Sequence, residues 1–140
     1  MSHRRVVVTG MGAVTPLGND LASTWEGVVN GRSGIGPVTH FDTTGFTTRI
    51  AGQIRDFDPT TFVPPKDAKK MEPFTHCGLA ASFMALDDSG LEITEANADR
   101  IGAIIGSGIG GILGIEEQTA KFLEGGARKI SPFYVPSTII

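Results

Sequence analysis

Two short apolar runs, each ending in closely spaced glycines, constrain this chain more than any other feature. The first lies in RRVVVTGMGAVTPLGND, residues 4–20, and the second in RIGAIIGSGIGG, residues 100–111. At 6–9 and 101–106 the apolar residues run on without polar alternation, as strands covered on both faces do. Each run turns at its glycines and leads into a helical pattern, and strand, turn and helix in that order predict an α/β chain. Glycine supplies 19 of the 140 residues, about twice the usual share of roughly 7%. That excess fits tight turns and close backbone approaches better than a plain helical bundle.

A strand, glycine turn and helix also raise the question of a nucleotide site. A dinucleotide fingerprint needs Gly-x-Gly-x-x-Gly, with the third glycine inside the helix that receives the pyrophosphate. Gly10 and Gly12 fit, but Thr15 stands where the third glycine belongs, Pro16 keeps a helix from opening there, and Gly18 comes too late. The stretch therefore reads as a structural turn, with a dinucleotide-binding module kept as the alternative from another functional class. SGIGG at 107–111 also follows a strand pattern and precedes a helix, so its amides could cradle a phosphate. It lacks the lysine of a P-loop.

Between the two runs, Asn19 or Asp20 is placed to cap a helix over 21–30, with Leu21, Trp25, Val28 and Val29 on one face and Gly31 at its left-handed end. A turn-rich connection follows, with a strand or hairpin over 47–54, and prolines mark 56–70 as loop. A long helix then runs to about Ser89 with Gly90 as its stop. Pro73 marks a first turn or a kink, since it cannot donate to the ladder, and Phe74, Gly78, Ala81 and Ala85 form a stripe that Leu79, Phe83 and Leu86 widen. Its small residues leave room for another element. The next helix spans about 112–123 and stops at Gly125 and Gly126. Ser137 or Thr138 looks like the cap of a further helix, and the apolar ending suggests the front part of a longer protein.

Composition excludes several classes. Apolar residues at 40% and charged residues at 19% describe a globular chain. A net charge of −3 argues against a general nucleic-acid binder. No apolar run approaches the roughly 20 residues of a membrane span. The start has no signal-peptide core, and the single Cys77 cannot form an intrachain disulfide. A soluble, cytoplasmic protein is expected. Cys77 and His76 are adjacent, and neighbours on a helix point apart, so they do not make a nucleophile and base pair; Cys77 reads as a small core residue. His3 and His40 have no partners at metal-ligand spacing, and neither a metal nor a cofactor is expected. Lys66, Lys69 and Lys70, at i, i+3 and i+4 on one face, lie at the entry to the long helix, and Arg128 and Lys129 form a second basic pair.

Taken in order, RRVVVTGMGAVTPLGND, WEGVVNGRSGI, HFDTTGF, DSGLEIT, RIGAIIGSGIGG and RKISPFYVPSTII resemble the N-terminal part of the β-ketoacyl-[acyl-carrier-protein] synthases. Among these, the elongating synthase II of bacteria is most similar. The likeness runs through all 140 residues. It implies a thiolase-like fold, five layers α-β-α-β-α in the full enzyme, of which residues 1–140 supply part of the N-terminal half. It also implies a homodimer, and decarboxylative condensation of an acyl thioester with malonyl-acyl carrier protein. A polyketide ketosynthase or chain-length factor shares the resemblance. The family's catalytic cysteine, histidines and lysine fall beyond Ile140, and Cys77 does not match the nucleophile's motif, so no catalytic residue is assigned. Ile109, with Gly108 beside it, matches the gate of the acyl pocket. Phe133 and Tyr134 match the segment that lines the pocket across the dimer interface, Tyr134 replacing the family's usual phenylalanine. Lys66, Lys69, Lys70, Arg128 and Lys129 match the basic surface that receives the acidic carrier protein.

Overall fold

In the computed structural model, which describes residues 3–139, five helices and one small sheet form two units. One unit holds residues 3–58 with Ala80–Leu91, and the other holds Pro59–Leu79 with residues 92–139.

The first unit opens on residues 6–9, expected as a strand. No ladder forms there, and Val6 is 89% exposed. Residues 101–106 in the second unit are likewise unpaired, with Ile104 wholly exposed. Both strand assignments are corrected. Apolar β-branched residues give a preference for extended backbone, but a strand exists only through a partner's hydrogen bonds. Among the described residues no segment supplies them. Helix α1, Leu21–Val29, starts where expected: the Asp20 carboxylate accepts from Ser23 N at 2.7 Å and from Ser23 Oγ at 2.9 Å. Gly31 ends it at φ 62°, a conformation that penalises any side chain. The expected apolar face of α1 points outward, however. Trp25 is 64% exposed, while Gly27 is buried against Leu17.

The hydrogen bonds from Ser23 hold the Asp20 carboxyl below the usual carboxylate range. A depressed folded-state pKa adds stability that is present above the unfolded value and lost as pH falls through the folded one. Asp20→Ala should cost about 1 kcal/mol at neutral pH and nothing once the carboxyl is protonated. Circular dichroism of the two chains across that acid range checks both the size and the sign.

Strand β1, Ile35–Pro37, pairs antiparallel with β2, Ile50–Gly52, in the register Ile35↔Gly52, Gly36↔Ala51 and Pro37↔Ile50. Of the strand or hairpin expected over 47–54 it is the strand, β2, that forms, with its partner β1 outside those bounds. β1 went unread because glycine and proline are poor strand formers. Buried Gln53 fixes the connection by accepting from Thr39 N and donating to Pro37 O, both at 3.0 Å.

In the second unit, Pro64 and Pro65 open a one-turn helix α2, Pro65–Ala68. The stretch 56–70, expected as loop, thus holds a helical turn ahead of the long helix α3, Pro73–Ser89, because Pro65 presets the backbone of a first helical turn. The Glu72 carbonyl accepts from Thr75 N at 3.0 Å and His76 N at 3.3 Å, which starts α3 at its proline. Helix α4, Ile112–Gly125, ends at Gly126, φ 72°. The tail forms a short helix α5, Tyr134–Thr138. This corrects the reading of Ser137 and Thr138 as the cap of a following helix. Both hydroxyls donate back to Tyr134 O at 3.0 Å and complete the turn they sit in. Ile140 lies outside the described residues.

Among the described residues the buried hydrophobic side chains are Ala80 in the first unit and Val63 and Ala68 in the second. No helix is long and apolar enough to cross a membrane, among the described residues.

Candidate functional site

Glycines 10 and 12 settle the first question about the opening motif. Both lie against the second part of α3, within the first unit. A Cβ on Gly12 would collide with Ala81 O and come within 2.8 Å of Met84 Cβ; one on Gly10 would collide with Ala85 O and reach Ser89 Cβ at 2.7 Å. Met11 N donates to Asp88 Oδ2 at 2.8 Å and fixes the approach. The Met11 amide is thus taken by a helix side chain, and the missing side chains of Gly10 and Gly12 make room for α3, so these glycines are packing residues.

In the second unit a cleft of ≈190 Å³ forms where the segment 69–72, between α2 and α3, meets α4 and α5. Lys69, Lys70, Phe133 and Tyr134 line it, along with Glu72 and Gln118. Gln118 Oε1 accepts from Ser131 N at 2.8 Å and ties α4 to the segment that carries Phe133. Lys70 Nζ sits 2.8 Å from Asp67 Oδ1 and 6.0 Å from the Phe133 ring centre. Lys66 and Lys69 are exposed, and among the described residues neither makes an ion pair. The three lysines share one helical turn but differ in kind: two are free cations, and one is committed internally.

The other candidates stand away from this cleft's lining. Ile109 is 71% exposed at the tip of the glycine turn, and Gly108 has open space around it. The turn closes through Gly110 N donating to Ser107 Oγ at 3.0 Å. Arg128 and Lys129 are exposed in a single 3-10 turn, Ala127–Lys129. Among the described residues no hydrogen bond reaches the Tyr134 hydroxyl. Glu72, Gln118 and Ser131 were missed in the sequence. A glutamate, a glutamine and a serine at these positions carry no motif, and only folding shows what they touch.

Cys77 is half-buried in α3, and desolvation pushes its thiol pKa up. His76 is drawn elsewhere: its Nε2–H donates to Ala68 O at 2.9 Å, since a carbonyl can only accept. The pair is separate, as adjacency on a helix requires. Cys77 should therefore react with iodoacetamide several-fold more slowly at pH 8 than a free cysteine does. Mass spectrometry of timed quenches reads this directly, and the rate should climb only above the ordinary thiol range. Among the described residues, no three His, Cys, Asp or Glu side chains gather as metal ligands.

Residues 3–139 match the family described as β-ketoacyl synthase, N-terminal domain. The chain belongs to that family. A β-ketoacyl synthase relative, 3-oxoacyl-[acyl-carrier-protein] synthase 2 of Vibrio harveyi, is 56% identical over 140 residues, which are 100% of this chain and 34% of the relative. This chain thus spans about a third of that relative's length. Two solved structures share the fold. The ishigamide ketosynthase/chain length factor superposes with a TM-score of 0.79 at 29% identity, over 99% of this chain and 34% of its own. A type II PKS acyl-carrier protein in complex with its ketosynthase bound to the hexaketide gives 0.76 at 26% identity, over 95% and 36%. The β-ketoacyl synthase fold is thiolase-like, and this chain forms part of its N-terminal portion.

Proposed function

We propose that this chain is the N-terminal part of a 3-oxoacyl-[acyl-carrier-protein] synthase 2, a condensing enzyme of fatty-acid synthesis. One observation carries the reading: 56% identity over the full chain with a relative of that name. In the reaction, an enzyme thiol takes an acyl group from its carrier thioester. Malonyl-acyl carrier protein then loses CO₂, and its α-carbon attacks the acyl carbonyl, releasing the enzyme thiol and leaving a 3-oxoacyl-acyl carrier protein two carbons longer. Lys66, Lys69, Lys70, Arg128 and Lys129 receive the acidic carrier protein. Gly108 and Ile109 gate the acyl pocket, and Phe133 and Tyr134 line it from the partner subunit of a cytoplasmic homodimer.

A polyketide ketosynthase is the second reading, favoured by the two solved structures. Their identities of 29% and 26% are about half that of the synthase 2 relative, which supports the fatty-acid assignment. The test mixes the whole protein that carries this chain with acyl- and malonyl-acyl carrier protein and follows 3-oxoacyl product by mass spectrometry. A single two-carbon extension of saturated acyl donors is expected, and none from the 140 residues alone. Product built only by repeated extension without reduction would transfer the protein to the polyketide class. No product from any donor would reject condensation.

A further inference from the structure

We propose that Glu72 is a positioning residue: from the lysine-bearing segment it anchors the glycine turn at 107–111, and so sets how far Ile109 yields to an acyl chain. This rests on the condensing-enzyme reading above. Helix α4 begins immediately after that turn, and no side chain caps its N-terminus. Gly111 N is satisfied by Thr138 O at 3.0 Å. Among the described residues, no hydrogen bond reaches the amides of Leu113 and Gly114, although helix starts leave such donors in need of an acceptor. The Glu72 side chain lies against this same turn. A Cβ on Gly111 would come 2.7 Å from Glu72 Cγ, and one on Gly114 would overlap Glu72 Oε1, with Cδ at 2.9 Å. Both glycines are buried, and their missing side chains form the notch that holds the carboxylate. A negative group is favoured there by the helix dipole.

The two ends of the turn are therefore unequal. At 111–114 it is bonded by Thr138 and packed against by the Glu72 side chain, while at 108–109 Gly108 has open space and Ile109 is exposed. Ile109 thus moves about a fixed point, and Glu72 is part of that point. Glu72 is also two residues from Lys70 and shares its cleft. A carrier protein that engages Lys69 pulls on the segment that holds the turn.

The test uses the whole protein with Glu72→Gln, which fills the notch without the charge, and Glu72→Ala, which empties it. Amide exchange read by mass spectrometry should quicken at 111–115 by about tenfold or more in Glu72→Gln, with α3 unchanged. The ratio of kcat/KM for long over short acyl-carrier donors should shift by about threefold or more, with kcat on short donors retained. Glu72→Ala should move both further in the same direction. Unchanged exchange at 111–115 in Glu72→Gln overturns the anchor, and so does an unchanged long-to-short ratio. Equal loss on every donor would make Glu72 merely structural. Absence of condensation in the unaltered protein rejects the enzymatic reading instead, and the exchange result still decides whether Glu72 holds the turn.

Discussion

Gly12→Val should strip α3 from the segment at 10–12 and lower the stability of the first unit by about 2–3 kcal/mol. The new Cβ meets Ala81 O, a backbone atom, and lies 2.9 Å from Ala85 N. Backbone in a helix cannot turn aside as a flexible side chain does, so the segment or the helix must move. Movement also breaks the bond from Met11 N to Asp88. At a urea slope of about 1–3 kcal/mol/M, the midpoint of helix loss by circular dichroism should fall by about 1 M or more. Gly102→Val is the matched control, because nothing lies within 4 Å of its Cβ position and its φ is not positive. Equal midpoints for the two variants would reject the packing role of Gly12. A nucleotide role predicts a different pattern, in which NAD binding is lost at unchanged stability.

The second large effect concerns docking. Lys66→Glu with Lys69→Glu should weaken carrier-protein binding to the whole protein by about tenfold or more. Each exposed attraction is worth only about 0.2–1 kcal/mol, but reversal replaces it with repulsion of similar size. Lys70 is left out because its ammonium already pairs with Asp67 and lies over Phe133. Reversing it would set two carboxylates one turn apart and disturb the cleft, mixing stability with binding. The loss should appear as a raised KM for the carrier-bound donor, with turnover of a small soluble thioester unchanged. Salt should weaken the unaltered protein's binding far more than the variant's, because exposed charges are screened within about 8–10 Å at physiological ionic strength. Equal affinity at low salt would remove these lysines from the docking surface.

Several features were legible in the residues alone because their causes are local. Asp20 caps α1, Gly31, Gly90 and Gly126 take positive φ, and Pro73 begins α3. Each depends on a backbone preference or a bond within a few residues. The failed fingerprint at Thr15 and Pro16 is local in the same sense, since a proline at that point denies a nucleotide the helix start it needs. Order along the chain carried the family, because six motifs in sequence are far more specific than one glycine pattern.

Long-range partners decided the rest. The valines at 6–8 prefer extended backbone, yet pairing needs a partner strand, and among the described residues none pairs with them. The outward face of α1 follows from the same cause: amphipathic spacing marks a face that suits burial and does not supply its cover. Spacing alone made Lys66, Lys69 and Lys70 equivalent. The tertiary structure divided them, because Asp67 and Phe133 reach one ammonium and leave two free. Glu72 had no signature at all, and its meaning comes from two buried glycines some forty residues away. By itself the sequence determined helix ends, turns and family. Only the tertiary structure decided strand pairing, which lysines are free and what holds the glycine turn, because each depends on groups brought together by folding.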